Sequence, residues 1–421
     1  MMPAGPNSAA QETENKTLIQ ELSTPELQTG ESTLSGYKDS GFGGPQSVGG
    51  QLQTENEFKD TAVRIHFLKR ALRPWYDIKN RVKEKLGIQY GLTYTSLYQV
   101  ATKSLDEHQA AGGIFALQVQ WDLLGRKTPD TGSLIFQLQN RHRLGTKIPP
   151  NSLFRSLGSS VSTARSFSDF GWAVTDLHWQ QLLFNRHAGF AIGKLHLTDY
   201  LDLFALSSSK TGFMNKNFSE NPTIAFPKQG LGANIFIMPN NNLYLLAGLA
   251  DANGDPRKSG FNTFFDEAEY FTAVEIGWIS SFDKRTFDNI HITGWHSDKR
   301  KNADVPKGYG VAMGAEWRFR EKWLPFFRAA WSNGDASSLE AYVSGGLGIY
   351  LKSHDVIALG LNWGKPSSDG QRDEYTMELF YRIQVTQILA LTPDIQLIID
   401  PSNNPDDDFI AVFGLRARLA L

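Results

Sequence analysis

Apolar and polar residues alternate in short segments along most of this chain, up to its last residue. In the final stretch, FIAVFGLRARLAL, the residues Phe409, Ala411, Phe413, Leu415, Ala417, Leu419 and Leu421 share one face of a strand. Gly414, Arg416 and Arg418 share the other, because successive strand side chains point to opposite sides. A terminal strand with an apolar outside and arginines inside predicts an inverted protein, with lipid on the outer face and water on the inner one.

The period of two begins near residue 88 and recurs about sixteen times, an even number as single-chain bacterial barrels require. The segments are 87–100, 113–124, 132–144, 172–183, 188–198, 229–239, 242–252, 268–280, 288–298, 308–320, 322–333, 339–351, 354–364, 373–385, 388–400 and 408–421. Most are slightly longer than the 9–11 residues that cross a bilayer on a tilt. The connections alternate: long at 145–171, short at 184–187, long at 199–228, very short at Asn240-Asn241 and long again at 253–267. Long extracellular loops and tight periplasmic turns produce this rhythm, and a soluble sandwich has no reason to. The apolar faces fit lipid contact. Phe115, Leu117, Val119, Trp121 and Leu123 oppose Gln118, Gln120 and Asp122. Val311, Met313, Ala315, Trp317 and Phe319 oppose Glu316, Arg318 and Arg320, and Trp323, Phe327 and Trp331 oppose Arg328. Trp and Tyr towards strand ends match aromatic girdles.

Upstream the pattern changes. Residues 1–56 are rich in Gly, Ser, Gln, Thr, Asn and Glu and read as a disordered, low-complexity segment. Trp75, Ile78, Val82 and Leu86 recur at helical spacing, which predicts a short amphipathic packing helix. The expected organisation is therefore a disordered tail over 1–56, a helical periplasmic segment over 57–86 and a transmembrane antiparallel β-barrel of about sixteen strands over 87–421, all-β in class.

Composition trims the alternatives. Lys+Arg 42 against Asp+Glu 44 is close to balance and argues against a nucleic-acid binder held by phosphate contacts. The absence of Cys excludes disulfides and thiolate metal sites. No apolar run is long enough for a transmembrane helix. The mean hydropathy of -0.33 does not separate a soluble protein from a barrel with a polar lumen and loops. A barrel needs export, so a leader is expected; the opening MMPAGPNSAAQETENKT lacks a basic n-region followed by an apolar h-region, which counts on the side of a soluble lectin-like β protein.

Three stretches resemble the carbohydrate-selective porins, the OprB-like family of bacterial outer-membrane proteins. The first is YRIQVTQILALTPDIQLIIDPSNNPDDDFIAVFGLRARLAL at 381–421, with its Gln-Val-Thr, Pro-Asp-Ile-Gln, Asn-Pro turn and Gly-Leu-Arg strand. The second is TDLHWQQLLFNRHAGFAIGKLHLTDYLDLFA at 175–205, paired strands ending in an acidic, aromatic loop. The third is FPKQGLGANIFIMPNNNLYLLAGLADANGDP at 226–256. The order and spacing of the three are more specific than each alone, and the resemblance spans roughly 75–421. Leu421 departs from the aromatic last residue of most outer-membrane barrels, which bears on recognition by the barrel-assembly machinery; residues 1–56 match nothing in the family. The resemblance implies a sixteen-stranded barrel in the outer membrane with periplasmic termini, admitting sugars and other small polar solutes by passive diffusion.

Selectivity in such a pore comes from polar residues at inward positions. The candidates are Arg141, Arg143, Asp176, His178, Lys194, His196, Glu275, Trp295, Arg318, Arg328, Glu378 and Arg416. Arg141, Arg143, Asp176 and Lys194 rank first because they lie on early strands flanking the long loops. Charged and amide groups replace a sugar's water hydrogen bonds, and an aromatic such as Trp295 can stack on a ring face. The bland alternative for each is a wall residue that pairs with its neighbours. The loops near 145–171 and 199–228 are long enough to fold inward and narrow the lumen, although a surface loop is the default. No cofactor or metal is expected. The competing functions are a non-selective or ion-conducting channel, a structural barrel, and an outer-membrane enzyme. Against the enzyme, no Gly-x-Ser-x-Gly or His-Glu-x-x-His motif accompanies His178, His196 and His291. Lipid and subunit faces are both apolar, so a homo-oligomer stays open.

Overall fold

The computed structural model describes residues 37, 41–57, 59–63, 66–301, 303–352 and 354–421. Sixteen strands run in order: β1 (Ile88–Ala101), β2 (Gln109–Leu124), β3 (Gly132–Arg143), β4 (Gly171–Leu183), β5 (Ala188–Leu195), β6 (Gly230–Ile237), β7 (Leu243–Asp251) and β8 (Tyr270–Ile279), followed by β9 (Asp288–Ser297), β10 (Gly308–Trp317), β11 (Trp323–Asn333), β12 (Leu339–Tyr350), β13 (Val356–Pro366), β14 (Glu374–Gln384), β15 (Leu389–Ile399) and β16 (Phe409–Ala420). Each pairs antiparallel with its sequence neighbours and the sheet closes on itself. The closure joins β1 to β16 over nine residue pairs, from Thr93 opposite Ala420 to Ala101 opposite Val412. A closed barrel satisfies every strand's backbone groups within the sheet, which is what a lipid surround demands.

The alternation holds on both faces. In β8 and β9, Glu275, His291, Thr293 and Trp295 are buried inside, while Val274, Ile276, Ile290 and Ile292 are exposed outside. The exposed row continues through Val311, Met313 and Phe327 into an apolar belt. Aromatic pairs bound it: Trp278 stacks on Trp317 at 5.1 Å at the short-turn end, and Tyr309 meets Trp331 edge-on at 6.1 Å at the long-loop end. This is the girdled outer surface of a transmembrane barrel.

Two elements precede the barrel. Helix α1 (Val48–Glu55) lies within the region expected to be disordered, and that expectation is revised for residues 41–56; residues 1–36 and 38–40 lie outside the described residues. The segment is short of apolar residues and has no core of its own, but the barrel interior supplies one: Val48 and Leu52 pack with Tyr37 and Ile135. Ser47 caps the helix by accepting from Gly50 N at 3.1 Å. Helix α2 (His66–Leu86) is longer than the pattern from residue 75 predicts and continues through Pro74. It sits against the start of the barrel, with Trp75 edge-on to Tyr90 at 5.5 Å and Trp121 Nε1 donating to Leu86 O at 3.1 Å.

Candidate functional site in the barrel lumen

The two longest connections both fold inward. The one after β5 turns at once through a 3₁₀ turn, Leu197–Asp199, which ends the strand earlier than the expected 198. Its backbone is then held by wall side chains in succession. Asp202 N donates to Glu275 at 2.7 Å and Ala205 N to Glu316 at 3.0 Å. Arg416 Nη1 donates to the carbonyls of Ser209 and Gly212 at 2.8 and 2.9 Å. Met214 N and Asn215 N donate to the Glu378 carboxylate at 2.6 and 3.0 Å, and Tyr342 donates to Asn217 O at 2.7 Å. The anchors stand on β8, β10, β16, β14 and β12, so the loop crosses the lumen from β5 to the far wall. An aromatic cluster of Phe204, Phe213, Phe218, Phe326 and Phe380 fills the space between loop and wall. Asp202 also takes a buried ion pair from Arg328 and a 3.1 Å contact with His291.

The loop after β3 follows. Thr163 Oγ1 donates to Gln99 at 3.0 Å and its carbonyl accepts from Gln396 at 2.9 Å. Arg141 Nη1 donates to Ser166 O at 2.8 Å, and Ser159 Oγ donates to Glu374 at 2.7 Å. Arg165 ties the two loops together by pairing with Glu220 at 2.6 Å and donating to Thr198 Oγ1 at 2.8 Å. Burial works against the Glu220 charge, but Arg165 and Lys216 beside it hold the carboxyl below its ordinary range. Lys210, also on the first loop, is pushed down to about 7 by burial, with Arg418 and Arg141 adding to the effect.

The sequence candidates divide three ways. Glu275, Arg328, Glu378 and Arg416 point inward as expected, and each is engaged in holding the inward loop. Arg141, Asp176 and His178 are buried on the inner wall: Gln137 donates to Asp176 at 3.3 Å, and His178 Nε2 shares a hydrogen bond with Tyr200 at 2.8 Å. Trp295 is inward too and stacks on Phe271 at 6.1 Å. His196 starts the inward loop, with Nδ1 2.6 Å from Thr198 Oγ1.

Three placements differ from expectation. Lys194 is paired across the sheet with Leu177 and Leu231. Leu177 is exposed on the outer face, so Lys194 leaves the lumen set. Its ammonium is drawn to the Pro256 and Lys258 carbonyls at 2.7 Å. Phe190 and Ile192 share its parity, which the sequence already carried. Arg143 lies at the long-loop rim in a 3.1 Å pair with Asp169. Arg318 lies past the end of β10, over the Phe287 ring and 2.6 Å from Glu321, at the short-turn rim. Arg143 is the last residue of β3 and Arg318 the first past β10, so both stand at a rim, where an inward parity no longer means a place in the lumen. Asp199, Asp202, Arg165, Lys210 and Glu220 were missed because they sit on loops, where no period marks direction. The mixed aromatic, basic and amide composition of KTGFMNKNFSENPTIAFPK, residues 210–228, was the available signal.

Buried charges of both signs share the same stretches of wall: Arg382, Arg416 and Arg418 stand on β14 and β16 among Glu374, Glu378 and Asp394 of β14 and β15, and Arg328 of β11 stands beside Glu316 of β10. A mixed polar wall of this kind offers a passing solute both donors and acceptors.

A family model described as the carbohydrate-selective porin, OprB family, matches residues 83–421. Curated relatives include Porin AaxA of Chlamydia pneumoniae, 24% identical over 392 residues and covering 83% of this chain and 84% of the relative. Porin AaxA of Chlamydia abortus (strain DSM 27085 / S26/3) is 20% identical over 365 residues, covering 81% and 79%. Among solved structures, the high-pH structure of Pseudomonas putida OprB superposes with a TM-score of 0.62 at 14% identity, covering 82% of this chain and 97% of that one. The closed sixteen-stranded barrel, the inward loops and the match over most of its length agree: the chain belongs to the carbohydrate-selective porin family, OprB, and is an outer-membrane channel for carbohydrate diffusion.

Proposed function

We propose that solutes cross this barrel through a constriction made by the two inward loops, without catalysis, and that the polar groups bordering those loops sort them. The carrying observation is that both loops are clamped to the wall by charged side chains. This reading gives the candidates two roles. Glu275, Arg328, Glu378 and Arg416 hold the first loop and Arg141 holds the second, while Asp176, His178 and His196, together with Lys210 of the first loop, border the passage. A neutral sugar exchanges water hydrogen bonds for guanidinium, carboxylate and amide ones at small net cost, whereas an apolar solute of the same size leaves those groups desolvated. His178 and His196 share hydrogen bonds with Tyr200 and Thr198 of the first loop, and His291 meets Asp202 of the same loop, so all three join wall to loop.

Liposome swelling tests the reading. Vesicles holding the purified protein should swell in a series of sugars ahead of size-matched zwitterionic solutes. Arg141→Ala should narrow that preference. Equal swelling in both series would assign a non-selective channel, and no swelling by a folded barrel, with residues 2–57 present or deleted, would end the channel reading.

A further inference from the structure

Residues 41–57 occupy the barrel interior, beneath the two inward loops and towards the short-turn end. Gly44 N donates to Asp199 O at 2.7 Å, Gln46 Oε1 accepts from Arg165 at 2.7 Å, and Gln51 Oε1 accepts from Lys210 at 3.0 Å. Phe42 packs on Tyr200 and Phe236 with ring centroids at 5.0 and 4.4 Å. The segment enters past the turn between β14 and β15, where Ala62 N and Val63 N donate to Gln384 O and Val385 O at 2.8 and 3.0 Å. Just inside this entry, Glu55 accepts from Arg418 at 2.8 Å and from Lys59 at 2.7 Å, all three buried, in the manner of a latch. None of this belongs to the barrel closure, and all of it precedes the residues matched by the family model.

The wall beneath is amide-rich. Helix α1 seats on β1–β3, where Gln89, Gln118, Gln120, Gln137 and Gln139 are buried on the inner face. A Cβ on Gly91 would lie 3.0 Å from Leu52 Cδ2, and Gly91 is directly paired with Gln118. Gln118 is 1% exposed, and neither its amide oxygen nor its amide nitrogen has a partner among the described residues. Leu52 thus sits on Gly91, next to a buried amide that gains no partner from the helix, and an amide left so pays its desolvation uncompensated. It is the right wall for a sugar, whose hydroxyls donate and accept as water does.

On the channel reading above, we propose that residues 41–57 are a plug, held by the Glu55 latch and hinged at residues 59–63, whose withdrawal to the periplasmic side bares the Gln89–Gln139 amide wall as a contact surface for sugar hydroxyls. With the plug seated, the lumen is obstructed; with it withdrawn, the loops alone set the bore.

The chain has no Cys, so a Leu52→Cys/Gly91→Cys pair would be the only thiols and can pin the plug to β1 in the full-length protein. In planar bilayers the oxidised pair should hold a low-conductance state, and reduction should raise conductance several-fold and admit larger sugars. A variant lacking residues 2–57 should match or exceed the reduced state. Equal conductance in oxidised and reduced protein overturns the plug, and so does a deletion variant that conducts like the intact chain. If the deletion does not fold, the cysteine pair decides alone. The channel reading fails separately, and the plug with it, if the variant lacking residues 2–57 folds as a barrel and still refuses current.

Discussion

Asp202 shows how one residue can carry a constriction. Its backbone N–H reaches Glu275, and its carboxylate pairs with Arg328 and contacts His291, all buried. Removing one partner of a buried pair strands the other charge, at a cost of about 3–5 kcal/mol. Asp202→Ala should therefore lower the temperature at which the heat-modifiable barrel unfolds and make single-channel current noisier, as the loop loses its hold. Lys210 offers a second prediction. Burial disfavours its charged form and brings it down to about 7, so it is charged below that pH and neutral above it. Reversal potentials in a salt gradient should shift towards anions as pH falls through 7, and Lys210→Gln should lack the step. Residues such as Glu378 and Arg416 were legible as inward from parity alone. That they grip a loop was not, because their partners lie 163 to 207 positions away in sequence.

At the scale of elements, strands were the most legible part. The expected 87–100 and 408–421 became Ile88–Ala101 and Phe409–Ala420, since lipid outside and polar groups inside enforce the period at each step. β5 stopped early because Leu197–Asp199 turns the chain into the lumen. Helix α1 was invisible: VGGQLQTE carries two glycines, each unfavourable in a helix, and its burial comes from a barrel that begins more than thirty residues later. The inward loop after β5 carries the clearest prediction at this scale. Deleting residues 205–225 removes the segment pinned by Arg416 and Glu378 and should raise single-channel conductance in planar bilayers. Unchanged conductance would remove this loop from the constriction.

For the whole molecule, closure is the decisive property. β16 is paired on both sides, to β15 and to β1, so losing it exposes two open edges in a medium that cannot satisfy them. Deleting residues 409–421 should leave protein that aggregates and shows no heat-modifiable mobility, even though fifteen strands remain. The sequence by itself determined the strand count, the lipid-facing side of each strand and the long-short order of the connections, because a bilayer imposes those rules locally, residue by residue. Only the tertiary structure decided what fills the bore. Both inward loops and residues 41–57 owe their positions to wall groups distant in sequence, and no periodicity records a contact that exists only once the barrel has closed.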